Sequence, residues 1–295
     1  MAAKRDERGD TMSGDHVTLF EVGPRDGLQS LQMQVPTADK IALIDALGQT
    51  GLTRIEAASF VSPKWVPQMA DGAAVMAGIT RAPGVRYAAL TPNMRAFEAA
   101  VAARVDEVAV FASASEGFSQ ANLNCTIEQS LARFAPLLEA AREIDLPVRG
   151  YLSAVIACPY DGPTPPGTVA DLAARLVDMG CYEVSLGDTI GAGAAGTAHG
   201  LFDAVLEAVP ASRLAGHFHD THGTALEMVR AALARGLRVF DSSVAGLGGC
   251  PYAPGAPGNV ATETLARLCA AEGYETGIDL IALDRCAALA RRITG

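Results

Sequence analysis

Short apolar runs rich in β-branched residues alternate along the chain with longer stretches of helical periodicity. Eight runs read as strands: residues 17–22 (VTLFEV), 54–60 (RIEAASF), 85–91 (VRYAALT), 107–113 (EVAVFAS), 148–154 (VRGYLSA), 182–188 (YEVSLGD), 214–220 (LAGHFHD) and 239–245 (VFDSSVA). Helices are expected to fill most of the gaps. The alternation predicts a parallel sheet with crossover helices.

One joint recurs between helix and strand: a turn residue, then a strand three positions later. Gly51 leads to Arg54, Gly180 to Glu183, Gly236 to Val239, and Arg104 to Glu107. Such recurrence points to a closed repeating architecture, and eight units make an α/β fold of the (β/α)8 TIM-barrel type with a short C-terminal helical extension. An open doubly wound sheet is the alternative that pattern alone leaves standing. In a barrel the strand C-termini and the loops after them line the active site. Glu21, Arg25, Asp26, Glu56, Ser59, Asp188, His217 and His219 fall at those ends, which predicts a polar, functional mouth.

The chain has 295 residues, 49% hydrophobic and 19% charged, enough for one large domain over 16–295. Residues 1–15 mix both signs of charge without an apolar core, and are expected to be a flexible polar leader on a cytoplasmic protein. A formal charge of −10 argues against nucleic acid or an anionic membrane as partner. An anionic small molecule remains compatible if positive groups gather locally. Six cysteines form no C-x-x-C pair, so independent reduced thiols are expected.

Candidate chemistry centres on His217-Phe218-His219. Strand alternation puts both imidazoles on one face, where two nitrogens can hold a divalent metal if other strands add oxygens. Alone, the pair reads equally well as one core and one surface histidine. The turn Gly23-Pro-Arg25-Asp26-Gly27 is by itself a solvated ion pair, but at a barrel mouth Asp26 can supply a hard oxygen and leave Arg25 to meet an anion. The loop 246–259 holds five Gly, three Pro and Cys250. Its last residue, Asn259, either caps the helix beginning near Thr262 or gives its amide oxygen as a further ligand. Such a ligand set suits Mg²⁺ or Mn²⁺. Gly191-Ala-Gly193-Ala-Ala-Gly196 spells G-x-G-x-x-G, but it lies in the sixth unit with Thr189 and Ile190 intervening, so a phosphate or thioester contact is the most expected of it.

With these residues in view, the chain resembles the 3-hydroxy-3-methylglutaryl-CoA lyase family, part of the metal-dependent lyase and aldol-type synthase barrels. The likeness rests on EVGPRDGLQ (21–29), SFVSPKWVPQMAD (59–71), NCTIEQS (124–130), VSLGDTIG (184–191), HFHDTHG (217–223) and VAGLGGCPYAPGAPGN (244–259). It implies metal ligands at Asp26, His217, His219 and Asn259, a catalytic arginine at Arg25 and a mobile-loop cysteine at Cys250. It further implies catalytic polar groups at Glu56 and Asp188, His217 as a possible proton acceptor, and supporting places for Glu21 and Glu263. The implied reaction splits hydroxymethylglutaryl-CoA into acetyl-CoA and acetoacetate, as in leucine degradation and ketone-body formation. The implied partner is an acyl-CoA, and a homo-oligomer, dimer or larger, is expected. The sequence departs from relatives at Ser30-Leu31-Gln32 and at the Gly191–Gly196 loop. Rival readings are an aldol-type synthase joining acetyl-CoA to a 2-oxo acid, a metal-dependent hydrolase, and an idle barrel.

Overall fold

The computed structural model describes residues 16–250 and 253–295, and the side chains of all these except 249–257. The polar leader therefore lies outside the described residues. Eight parallel strands close into a barrel: β1 (Thr18–Glu21), β2 (Arg54–Ser59), β3 (Arg86–Leu90), β4 (Glu107–Ser113), β5 (Val148–Ser153), β6 (Glu183–Asp188), β7 (Leu214–Phe218) and β8 (Val239–Ser242). Each pairs with its neighbours in sequence, and β1 closes the ring on β8 with Thr18 opposite Val239 and Glu21 opposite Ser242. The open-sheet alternative is thereby removed.

All eight observed strands lie within the expected runs. The largest differences are at β7 and β8. Pairing along β7 stops at Phe218, and His219 instead bridges Asn259; beyond β8 the chain turns through Val244–Gly246, with Ala245 at φ +58°. Both departures carry backbone out of the sheet toward the mouth.

The recurring joint has a conformational cause. Gly51, Gly180, Gly236 and Arg104 have φ of +89°, +118°, +91° and +57°, the left-handed turn that ends a helix and sends the chain back into the sheet. Asp145, at φ +54° and three residues before Val148, is a fifth instance hidden by its residue type. At Gly51 the demand is also steric, because a Cβ would run into the Gly277 carbonyl oxygen.

Ten helices are described: α1 (Thr37–Leu47), α2 (Gly72–Gly78), α3 (Met94–Ala102), α4 (Glu116–Leu123), α5 (Ile127–Glu143), α6 (Pro166–Asp178), α7 (Ala195–Ala208), α8 (Ala225–Ala234), α9 (Thr262–Ala271) and the C-terminal α10 (Leu280–Thr294). Their apolar faces and the outward faces of the strands form one continuous core. Phe218 belongs to it, 6.2 Å from the Phe202 ring and 6.4 Å from that of Phe240, so its neighbours His217 and His219 face inward. The NCTIEQS segment is a helix-to-helix joint. Asn124 ends α4 at φ +51°, and Thr126 and Gln129 form a reciprocal capping box on α5.

The barrel interior is polar well below its mouth. At the bottom, Arg54 from β2 lies 3.2 Å from Glu107 on β4 and 3.1 Å from Glu183 on β6. Above them Arg149 from β5 pairs with Glu183 at 2.7 Å and with Asp241 on β8 at 2.8 Å. The guanidiniums of Arg54 and Arg149 each lie 4.4 Å from the Phe20 ring. Charges buried this deeply persist because each has an opposite partner.

Candidate active site

The mouth is built on the turn after β1. Its glycines are sterically required: a Cβ on Gly23 would strike Glu21 Oε1, and one on Gly27 would strike Leu247 and Ser243. Glu21 anchors the turn. Its carboxyl accepts from the Gly23 amide at 2.8 Å, the Val244 amide at 2.9 Å and the Thr262 hydroxyl at 2.6 Å. Burial is the main reason its pKa rises to about 7. Glu263 braces the same region, accepting from the Ala245 amide at 3.0 Å and from Arg291 at 3.1 Å. Both expected supporting residues hold backbone in place.

The turn so fixed presents Arg25 and Asp26 inward. Arg25 Nε lies 2.6 Å from Glu56 Oε2 and Nη1 lies 2.6 Å from Asp26 Oδ1, leaving Nη2 without a partner among the described residues. The Tyr151 hydroxyl also donates to Glu56 Oε2, at 3.2 Å. The other oxygen, Glu56 Oε1, is buried without a partner among the described residues. Burial raises the Glu56 carboxyl despite Arg25.

Asp26, His217 and His219 bring one possible ligand atom each to within 4.8 Å of one another. Asn259 joins them: its amide nitrogen lies 2.8 Å from Asp26 Oδ2, and its backbone bridges His219. It does not cap α9, whose N-cap is Ala261. Burial disfavours the Asp26 anion, but Arg25, the two imidazoles and the Asn259 amide outweigh this and hold its pKa near 2. Burial and the neighbouring His217 push His219 down to about 4, so it is a neutral imidazole at physiological pH. Its Nδ1 is buried and has no hydrogen-bond partner among the described residues. The connected groups of mouth and interior comprise five carboxyls, Asp26, Glu56, Glu107, Glu183 and Asp241, against three guanidiniums, Arg25, Arg54 and Arg149. A formal acid excess of two, a neutral imidazole and a ready carboxylate fit a divalent cation.

Asp188 lies at the end of β6 with its oxygens 3.0 and 2.7 Å from the amides of Ala192 and Gly193. Two amides of the G-x-G-x-x-G loop are thus taken by the protein's own carboxylate, which explains the motif without a phosphate. Burial raises the Asp188 carboxyl over those two hydrogen bonds. Cys250 ends the first of two short antiparallel strands, Gly249–Cys250 against Ala253–Pro257, but its side chain lies outside the described residues. The Ser30-Leu31-Gln32 departure is surface: Ser30 and Gln32 are exposed and Leu31 half-buried.

Sequence reasoning missed Asp241, Arg149, Tyr151 and Ser185, all in this inner layer. The signal was available as period-two polar positions, 149 and 151 on β5 and 183 and 185 on β6, inside runs that otherwise read as buried strands. It also missed the purpose of Gln68 and Asp71 in the SFVSPKWVPQMAD segment. Gln68 accepts from the Val35 amide at 3.0 Å and donates to the Met33 carbonyl at 3.0 Å; buried Lys40 meets the Gln68 carbonyl and, at 2.7 Å, Asp71. These contacts tie the loop after β2 to the segment after β1.

Comparison with known proteins covers nearly the whole chain. The model of the HMGL-like family matches residues 16–289. The chain is 60% identical over 267 residues to the 3-hydroxy-3-isohexenylglutaryl-CoA/hydroxymethylglutaryl-CoA lyase of Pseudomonas aeruginosa, covering 90% of this chain and 89% of that protein. The crystal structure of the HMG-CoA lyase from Brucella melitensis superposes with a TM-score of 0.94 at 55% identity, covering 95% of this chain and 99% of that one. An HMG-CoA lyase from Acinetobacter baumannii, solved in complex with coenzyme A and 3-methylmalate, gives a TM-score of 0.89 at 38% identity over 96% of this chain and 93% of that one.

Proposed function

The chain belongs to the HMGL-like family, and on that premise we propose that it is a carbon–carbon lyase splitting 3-hydroxy-3-methylglutaryl-CoA into acetyl-CoA and acetoacetate. The observation that carries the reading is the convergence of Asp26, His217, His219 and Asn259 beside Arg25 at the barrel mouth. The reaction must take a proton from the C3 hydroxyl, break the C2–C3 bond, and return a proton to C2 as acetyl-CoA leaves.

Asp26, His217, His219 and Asn259 would hold Mg²⁺ or Mn²⁺, Asn259 through its amide oxygen. Such an ion would supply Lewis acidity toward the substrate's oxygens. Arg25 acts on the bond-breaking step. Glu56 and Asp26 clamp its guanidinium at two nitrogens and leave Nη2 to stabilise the thioester oxygen as it becomes an enolate. The Tyr151 hydroxyl steadies Glu56 and so the clamp. Asp188, buried and raised in pKa, is suited to accept the hydroxyl proton. Cys250, on the loop after β8, is assigned the final proton delivery to C2.

The test is purified protein with hydroxymethylglutaryl-CoA, with and without EDTA and added Mg²⁺, scoring acetoacetate. Acetoacetate formation abolished by EDTA and restored by Mg²⁺ is the expected result. No product with the metal-replete protein would overturn the proposal.

A further inference from the structure

The two histidines of the mouth are not equivalent. His219 Nδ1 has no partner among the described residues, whereas His217 Nδ1 lies 3.1 Å from Asp241 Oδ2. Asp241 is itself 2% exposed and rigidly held: the Ser185 hydroxyl donates to the same oxygen at 2.7 Å, and Arg149 meets both oxygens, at 3.1 and 2.8 Å. Arg149, fully buried, is fixed in turn by Glu183 at 2.7 Å, and Glu183 by Arg54. A carboxylate offers only acceptors, so the hydrogen of a neutral His217 must sit on Nδ1. Nε2 then carries the lone pair.

We infer that Asp241 is a positioning residue for the metal centre: it fixes His217 as the Nδ1–H tautomer and leaves Nε2 as the ligand atom. This rests on the reading of His217 as a ligand. Outer carboxylates of this kind set ring orientation and raise ligand basicity, and their loss typically lowers metal affinity 10- to 100-fold. Asp241→Asn exposes the effect. The amide nitrogen must replace one oxygen. Placed at Oδ1 it abuts Arg149, and placed at Oδ2 it drives the hydrogen of His217 onto Nε2.

Two measurements decide the matter. In ¹⁵N-histidine-labelled wild-type protein with Mg²⁺ at pH 8, the His217 ring should show Nδ1–H; an Nε2–H ring overturns the inference. In calorimetric titration with Mn²⁺, folded Asp241→Asn should bind about 10- to 100-fold more weakly than wild type, and equal affinity overturns it. Should Asp241→Asn fail to fold, the wild-type tautomer decides alone. Failure of the wild type to bind Mn²⁺ would instead strike the ligand assignment, and the inference with it. A merely structural Asp241 would lower stability without moving either readout.

Discussion

Single residues at this mouth are decided by which atoms their neighbours leave free. Arg25 keeps its charge balanced by Glu56 and Asp26 while one nitrogen remains available. Arg25→Lys preserves that balance but loses the planar fork, so the variant should fold, bind metal and lose roughly 10²- to 10³-fold in kcat. Steady-state kinetics alongside metal titration checks this; near-normal kcat would remove Arg25 from the chemistry. Glu21 makes a different prediction. With a pKa near 7 in the fold against an ordinary 4.5, its stabilising contribution is fully present below about pH 4.5 and is lost as pH rises to about 7. The loss amounts to about 3 kcal/mol. In Glu21→Gln the amide oxygen can still accept from Gly23 and Val244 while its nitrogen donates to Thr262 Oγ1. Urea unfolding at pH 4.5 and 8 should therefore show the Gln variant gaining on wild type as pH rises, and a constant difference would contradict it.

At the scale of elements, the site depends on joints that turn strands into loops at fixed places. Gly51 shows how strictly: both its φ of +89° and the nearby Gly277 carbonyl exclude a side chain. Gly51→Ala should cost at least about 2 kcal/mol of unfolding free energy, readable by denaturant titration. The Gln68 brace works between loops. Gln68→Ala strands the buried Val35 amide and should cost about 1–3 kcal/mol. The repeated joint was legible at Gly51, Gly180 and Gly236 because glycine announces a positive φ. It was illegible at Asp145, where the same turn is imposed on a residue that merely tolerates it. NCTIEQS and SFVSPKWVPQMAD mark the family in sequence, but what they do, capping α5 and bracing two loops, needed their partners.

Across the whole molecule, the interior is a column of alternating charges from Arg54 at the bottom to Arg25 at the top, with two more acids than bases. Binding a divalent cation should relieve that excess and stabilise the fold, by about 2.7 kcal/mol at a metal concentration 100 times Kd. Thermal melts should rise with added Mg²⁺ in the wild type and stay unmoved in Asp26→Ala. A wild-type melt indifferent to Mg²⁺ and EDTA would argue against a resident ion.

The sequence by itself determined the eight alternating strand and helix units, because their periodicities and the glycine joints are local properties of consecutive residues, whereas closure into a barrel rests on the pairing of β1 with β8. The sequence also marked the mouth residues, since alternation through residues 214–220 puts His217 and His219 on one face and the turn after β1 must present Arg25 and Asp26 together. Only the tertiary structure decided which oxygen meets which nitrogen. Asp241 lies 24 positions from His217, and Asn259 lies 233 from Asp26. No local pattern encodes such pairs; barrel closure, by fixing the register between distant strands, creates them.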